Sequence, residues 1–170
     1  MRVTDLLALS HVPRWTIVSH SRPQSVADHS FRVCVIAVEL AERLGVQLSA
    51  DALLACLYHD GPESRSGDIP SGAKRRIEDK LKGSLDDLFW PSTRLKGSTV
   101  AREVNILMLA DKIEGYTFIQ KWGVGPHAAE VADACHAEVT NLISKTFSGK
   151  ESIIQDLVGD ILTEKGRLTR

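Results

Sequence analysis

Aromatic residues, cysteines, net charge and long apolar runs are all scarce in this chain, and each shortage removes a class of protein. Aromatics make up 5% of its 170 residues, and no basic stripe with interleaved aromatic side chains offers a nucleic-acid surface. Lys and Arg number 21 against 22 Asp and Glu, a formal net charge of −1, so no polybasic field favours duplex DNA or an anionic membrane. The longest wholly apolar run, Ala52 to Tyr58, falls far short of the roughly 20 residues a membrane-spanning helix needs. Near the N-terminus only Leu6 to Leu9 is continuously apolar, too short for the core of a signal peptide. Cys34, Cys56 and Cys135 form no CxxC pair and read as free thiols in the reducing cytoplasm. Period-2 alternation, internal repeats and low-complexity tracts are missing as well, which argues against a sheet or a solenoid.

A helical pattern remains. At 43% hydrophobic and 25% charged the composition is that of a globular chain, and the length suits one domain over residues 1–170. Ser25 is an N-cap, with Asp28 three residues on, and Gly45 ends that helix. Within it His29, Val33, Ile36, Leu40 and Leu44 share one stripe. Ser49 opens a helix to about Asp60, interrupted by Gly61-Pro62, because proline lacks an N–H and biases its predecessor away from helix. Further helices are expected over about 73–82, 99–116, 128–147 and 152–163, with residues 83–98 as a connector. The last two close the bundle, and the final one carries Ile153, Ile154, Leu157, Val158, Ile161 and Leu162 as a broad apolar face that either seals the core or meets a second subunit. In the helix before them, Val100, Val104, Leu107, Asp111 and Phe118 read as one stripe. The expected fold is all-α, a compact bundle of about six to eight helices.

Two polar residues interrupt these stripes. His29 and Asp111 stand where the period calls for an aliphatic side chain. A buried carboxylate without a partner costs several kcal/mol, so each must be paired, protonated or bound to metal. Alone, either reads more readily as a satisfied core residue or ion-pair partner. Together with His59-Asp60 they offer two imidazoles and two carboxylates from three inward-facing segments, a way in which bundles build metal sites. Such a donor set suits Zn, Mn, Co, Fe or Ni better than Mg.

The order H…HD…D resembles the HD-domain phosphohydrolases. The fuller string of Arg14-Trp15, "SVADHS" at Ser25 to Ser30, "YHDGPESRSGDIP" at Tyr58 to Pro70 and "LMLADKIEGY" at Leu107 to Tyr116 is similar to the YfbR-type 5'-deoxynucleotidases and to small phage deoxynucleoside triphosphate triphosphohydrolases. The likeness runs from Leu6 to about Lys121. The chain departs from that family at Gly61-Pro62, which bears on how Glu63 sits relative to the His-Asp pair. No histidine lies between His59 and Asp111, and this spacing, unlike that of two-metal relatives, implies one divalent ion (Zn, Co or Mn, with Mg as a further option) held by His29, His59, Asp60 and Asp111.

Hydrolysis of a phosphate ester needs a nucleophile at neutral pH, charge stabilisation on the phosphoryl oxygens and a proton for the leaving alkoxide. Glu63 and Asp68, near the pair but outside the ligand set, are the acid and base candidates. Glu63 is assigned to water and Asp68 to the O5' leaving group, with the reverse order open. Arg14 and Lys74 are the phosphate-binding candidates. Arg75, Arg76 and Lys112 read as solvated charges, although the Lys74-Arg75-Arg76 cluster favours a triphosphate over a monophosphate. Trp15 offers an indole face to a nucleobase or sugar. Ile17 resembles the apolar residue that lies against the base edge in adenine-preferring phage relatives, where dATP depletion accompanies use of 2-aminoadenine. An aliphatic wall there gives the 2-amino group of guanine no hydrogen bond. The resemblance also implies a cytoplasmic homo-oligomer with a deoxynucleotide substrate and no nucleic-acid or membrane partner. Two alternatives stay open: a deoxynucleoside monophosphatase, and a non-catalytic HD bundle that binds nucleotide.

Overall fold

A computed structural model describes residues 3–84 and 101–163. The described elements are α1 (Val3–Leu7), a 3-10 turn (Ala8–His11), α2 (Val26–Arg43), α3 (Ala50–Tyr58), α4 (Glu63–Ser66), α5 (Ser71–Leu81), α6 (Ala101–Trp122), α7 (Pro126–Thr146) and α8 (Glu151–Thr163). Among the described residues there is no strand, only the isolated bridges Pro13–Ser25 and His20–Gly123. The all-α expectation holds. Most of the expected connector over 83–98, and Val100, lie outside the described residues.

Local chemistry sets the helix ends. The Ser25 side chain accepts the Asp28 N–H at the start of α2. At its end Gly45 takes φ +64°, while Val46 N–H donates to Ala41 O at 2.8 Å and Gly45 N–H to Glu42 O at 3.0 Å. These two bonds make a Schellman stop, which a Cβ at Gly45 would strain. The N-terminus of α3 is satisfied twice: Ala52 N–H donates to Ser49 Oγ at 3.2 Å, and Ser49 N–H to the buried Glu103 carboxylate of α6 at 2.6 Å.

α6 is the axis of the bundle, packed against α2 and α7. Val33, Ile36, Leu40, Ile106, Leu109, Ile113, Val139 and Ile143 interlock in the main core. The α2 stripe is as the period predicts, with His29, Val33, Ile36, Leu40 and Leu44 all buried. The α6 stripe is not. Its buried face is Ile106, Leu109, Ala110, Ile113, Thr117 and Phe118 with Glu103 and Glu114, whereas Val104 is exposed. Leu107 and Asp111 sit at the edge. Asp111 therefore lies on the rim of the core rather than inside it, because the apolar face is rotated away from the row containing Val104. In α8, Ile154 and Leu157 are buried in the main core, with Ile153, Val158 and Ile161 packed against it, so this helix seals the bundle.

The segment between the 3-10 turn and α2 crosses the end of α6 and is tied down along its length. Val26 N–H donates to Val12 O, Arg14 N–H to Gln24 O, Ser21 N–H to Trp122 O and Val124 N–H to Ser19 O. At the far side of this seam Gly123 leaves no room for a side chain: a Cβ there would fall 2.5 Å from Ile119 O and 2.9 Å from the Ala128 Cβ.

Candidate functional site

His29 occupies the floor of a polar cleft between α2, the α3–α4 turn and α6. Its Nε2 lies 3.2 Å from Asp111 Oδ1, 3.4 Å from Asp60 Oδ2 and 3.3 Å from His59 Nε2. His59 Nε2 is 3.3 Å from the same Asp60 oxygen and 3.9 Å from Asp111 Oδ1. One atom each from His29, His59 and Asp111 falls within a mutual 4.8 Å, the span of a metal-ligand set. Asp60 joins through its contacts with both imidazoles, although its Oδ2 also accepts from Arg14 Nη1 at 3.1 Å. The cleft opens at one side, for the His29 side chain is inaccessible while that of Asp111 is 35% exposed.

Both imidazoles are aimed by what holds their other nitrogen. His29 Nδ1 meets Glu114 Oε2 at 2.6 Å, and His59 Nδ1 meets the Cys56 carbonyl at 2.8 Å. A carbonyl oxygen only accepts, so His59 Nδ1 carries a proton, and the ionised Glu114 imposes the same on His29. The two Nε2 atoms then face each other as lone pairs, with the Asp60 and Asp111 oxygens beside them. A divalent cation reconciles these donors, and the nitrogen–oxygen set matches Zn, Co or Mn.

The electrostatics agree. Burial opposes charge on His59, but the hydrogen bond and charge of Asp60, with the charge of Asp111, outweigh it and lift its pKa to about 9. Burial also opposes charge on Asp60, yet His59, His29 and Arg14 hold its carboxyl well below the usual range. Asp111 is likewise held low against burial by His29 and His59. This arrangement attracts positive charge, which protons supply when no metal does.

Glu63 behaves oppositely. Gly61 N–H to Tyr58 O at 2.9 Å and Glu63 N–H to Asp60 O at 3.0 Å wind the Gly61-Pro62 interruption into a compact turn. Glu63 thus stays within the electrostatic reach of Asp60, Asp68, Arg14 and Lys74. Its Oε2 is buried and finds no hydrogen-bond partner among the described residues. Burial, then the charges of Asp60 and Asp68, push its pKa up to about 8, against the pull of Arg14 and Lys74. The folded chain therefore binds a proton that the unfolded chain releases near its ordinary value of 4.5, and stability falls as pH rises from about that value through about 8. Thermal unfolding in chelator is expected to show this fall in the wild type and a shallower one in Glu63→Gln. Parallel curves for the two proteins would exclude Glu63 as a source.

Asp68 faces the other way. Its Oδ2 accepts the Trp15 backbone N–H at 3.1 Å. Trp15 has φ +61°, a conformation costing a bulky residue about 1–3 kcal/mol. Three contacts hold it there: the Asp68 bond, the indole N–H donating to Gln24 Oε1 at 3.0 Å, and a parallel stack on Phe118 with centroids 6.1 Å apart. Arg14 extends over the Trp15 ring at 5.9 Å. The exposed Ile17 lines a groove of about 520 Å3 with Arg14, Trp15, Ser19 and Gln24. Lys112 pairs with Glu138 of α7 at 3.1 Å.

Sequence patterning thus assembles His29, His59, Asp60, Asp111, Arg14, Glu63, Asp68 and Trp15 around one cleft, but it missed Gln24, Arg32 and Glu114. Glu114 is inaccessible to solvent and accepts from Arg32 Nε at 2.7 Å and Gln24 Nε2 at 2.8 Å. Its signal was its place four residues after Ala110 and four before Phe118, inside the buried face of α6.

The comparisons fit this geometry. A model of the HD domain matches residues 7–88. The dATP triphosphohydrolase of cyanophage S-2L is 30% identical over 130 residues, 75% of this chain and 74% of that one. The dATP triphosphohydrolase of Salmonella phage PMBT28 is 32% identical over 143 residues, 75% and 71% of the two chains. A 5'-deoxynucleotidase of Klebsiella pneumoniae is 32% identical over 109 residues, 51% of this chain and 55% of that one. In fold, the cyanophage S-2L HD phosphohydrolase, solved with dA and one catalytic zinc ion, superposes with a TM-score of 0.79 at 23% identity over 99% of this chain and 98% of that one. By sequence and by fold, the chain belongs to the HD-domain phosphohydrolases, in the family that includes the phage dATP triphosphohydrolases.

Proposed function

We propose that the protein is a metal-dependent hydrolase of deoxynucleoside triphosphates, with dATP as its preferred substrate and deoxyadenosine and triphosphate as products. The observation that carries this reading is the convergence of His29, His59, Asp60 and Asp111 on one point, both imidazoles pinned through Nδ1. The phage dATP triphosphohydrolases, matched over more of this chain than the deoxynucleotidase is, support the triphosphate over the monophosphate. A divalent ion in this cleft supplies Lewis acidity toward a phosphoryl oxygen and makes water a better nucleophile.

The chain's own residues supply the rest. Arg14 turns from Asp60 to the phosphates, or bridges the two, with its planar donor fork, and Lys74 adds a point charge at the start of α5. Glu63, kept protonated toward pH 8 by burial and by its carboxylate neighbours, suits donation to the departing O5'. Asp68, which holds the Trp15 N–H, then serves the attacking water, the exchange of roles left open by spacing alone. Trp15 presents its ring to the nucleoside, and Ile17 closes the base edge against a 2-amino group. The exposed Phe31, Val35 and Val38, one face of α2, support a homo-oligomer, and no described helix is long and apolar enough to cross a membrane. We place the reaction in the cytoplasm, on free nucleotide rather than nucleic acid.

A panel of dNTPs, dNMPs and rNTPs, tested with chelated and metal-restored protein, checks this reading. Metal-dependent release of intact triphosphate from dATP is expected; orthophosphate from dAMP alone would establish the monophosphatase, and no turnover with any divalent ion would favour a nucleotide-binding bundle. In the same panel Ile17→Ala is expected to lower the dATP/dGTP ratio of kcat/KM by about tenfold, in the range of a lost apolar contact. An unchanged ratio would remove Ile17 from base selection.

A further inference from the structure

A buried line of hydrogen bonds joins the indole of Trp15 to the imidazole of His29. Trp15 Nε1–H donates to Gln24 Oε1 at 3.0 Å, Gln24 Nε2–H donates to Glu114 Oε1 at 2.8 Å, and His29 Nδ1–H donates to Glu114 Oε2 at 2.6 Å. Gln24 is 3% exposed, and His29 and Glu114 are fully buried. The direction of each bond is forced. An indole nitrogen only donates and a carboxylate only accepts, so the Gln24 amide has one orientation that satisfies both neighbours. Turned over, it would set an N–H against an N–H at one end and a carbonyl against a carboxylate at the other. The backbone repeats the connection, since Arg14 N–H donates to Gln24 O. Arg32 Nε donates to Glu114 Oε1, the oxygen that Gln24 also meets, at 2.7 Å.

We propose that Gln24 is a positioning residue that couples the Trp15 indole to His29, so that filling the metal site and seating a nucleoside against Trp15 strengthen each other. This rests on the reading of His29 as a ligand and Trp15 as the nucleoside contact. Losing the indole N–H leaves the buried Gln24 oxygen without that donor, and the amide relaxes toward another partner. Glu114 then loses one of its three donors, and the ring it aims is held less firmly. Because linkage is reciprocal, whatever factor zinc adds to nucleoside affinity, the nucleoside adds to zinc affinity.

The test measures zinc dissociation constants by competition with a chromophoric chelator, with and without deoxyadenosine, for the full chain and for Trp15→Phe, Gln24→Leu, the double variant and His29→Ala. Trp15→Phe keeps an aromatic ring on the Phe118 side and removes the indole N–H together with part of the ring, at a residue outside the ligand set. It is expected to weaken zinc binding about three- to tenfold, below the roughly 10–100-fold cost of removing a direct partner of a ligating histidine. The double variant is expected to bind zinc no more weakly than Gln24→Leu alone, since the second change breaks a line already cut. In the wild type deoxyadenosine tightens zinc binding, and in Gln24→Leu that factor falls to one. Zinc affinity of Trp15→Phe within about twofold of wild type, or additive losses in the double variant, would overturn the coupling. If Gln24→Leu does not fold by circular dichroism, Trp15→Phe against wild type decides alone. A wild type that binds no zinc would overturn the metal reading and this inference with it, whereas zinc binding that depends on His29 but ignores Trp15 would overturn only the coupling.

Discussion

Asp111→Asn is expected to lower dATP hydrolysis by at least about a thousandfold, the scale set by losing a charge that assembles a metal centre, and to lower the metal content of the purified protein in step. The substitution is nearly isosteric, so packing on the rim of the core barely changes. What it removes is one of the two carboxylates that face the imidazole pair, and with it the oxygen 3.2 Å from His29 Nε2. An amide still offers a carbonyl lone pair, but no charge to balance a dication. Metal analysis together with single-turnover product release is the measurement. Full metal occupancy with full activity would exclude Asp111 from the ligand set and leave only three groups.

Removing Glu114 is expected to act on both fold and site. Glu114→Leu strands the Arg32 guanidinium, the Gln24 amide and the His29 Nδ1–H, all converging on one buried point. Breaking a buried charged network from one side costs about 3–5 kcal/mol, and at this chain length that corresponds to a melting point lowered by roughly 10 °C. Glu114→Gln separates the two effects. Its amide has one acceptor where the network needs two, so its NH2 confronts either His29 or the Arg32–Gln24 pair. Facing His29, it forces Nδ1 to accept, moves the ring proton to Nε2 and blocks the lone pair that a metal needs. The expected outcome is metal affinity lowered about 10–100-fold with a smaller loss of stability than for Glu114→Leu. Equal metal affinity in wild type and Glu114→Gln would show that the His29 ring is oriented by packing alone.

The fold was legible wherever one period ran unbroken. α2 has a cap, a stop and an aliphatic row between them, so its buried face follows from spacing alone, His29 included. α6 was harder because Val104, Leu107 and Met108 are apolar yet exposed or half-exposed, and two rows competed for the core. The row that won contains two glutamates, which hydropathy alone discards. The ligand candidates were legible because their residue types are conspicuous and their spacing resembles a known family. Gln24 was not, since it lies in a loop where no period applies and an amide carries no charge to mark it. Arg32 and Glu114 look like ordinary charged neighbours of His29 and Asp111 until the helices are brought side by side.

Trp15 is locked at both its backbone and its ring before any nucleotide arrives. A loop already in its working shape forfeits little freedom on capture. With Trp15 as the proposed nucleoside contact, binding of deoxyadenosine is expected to proceed in one kinetic phase, its rate rising linearly with concentration and never levelling off at the speed of a rearrangement.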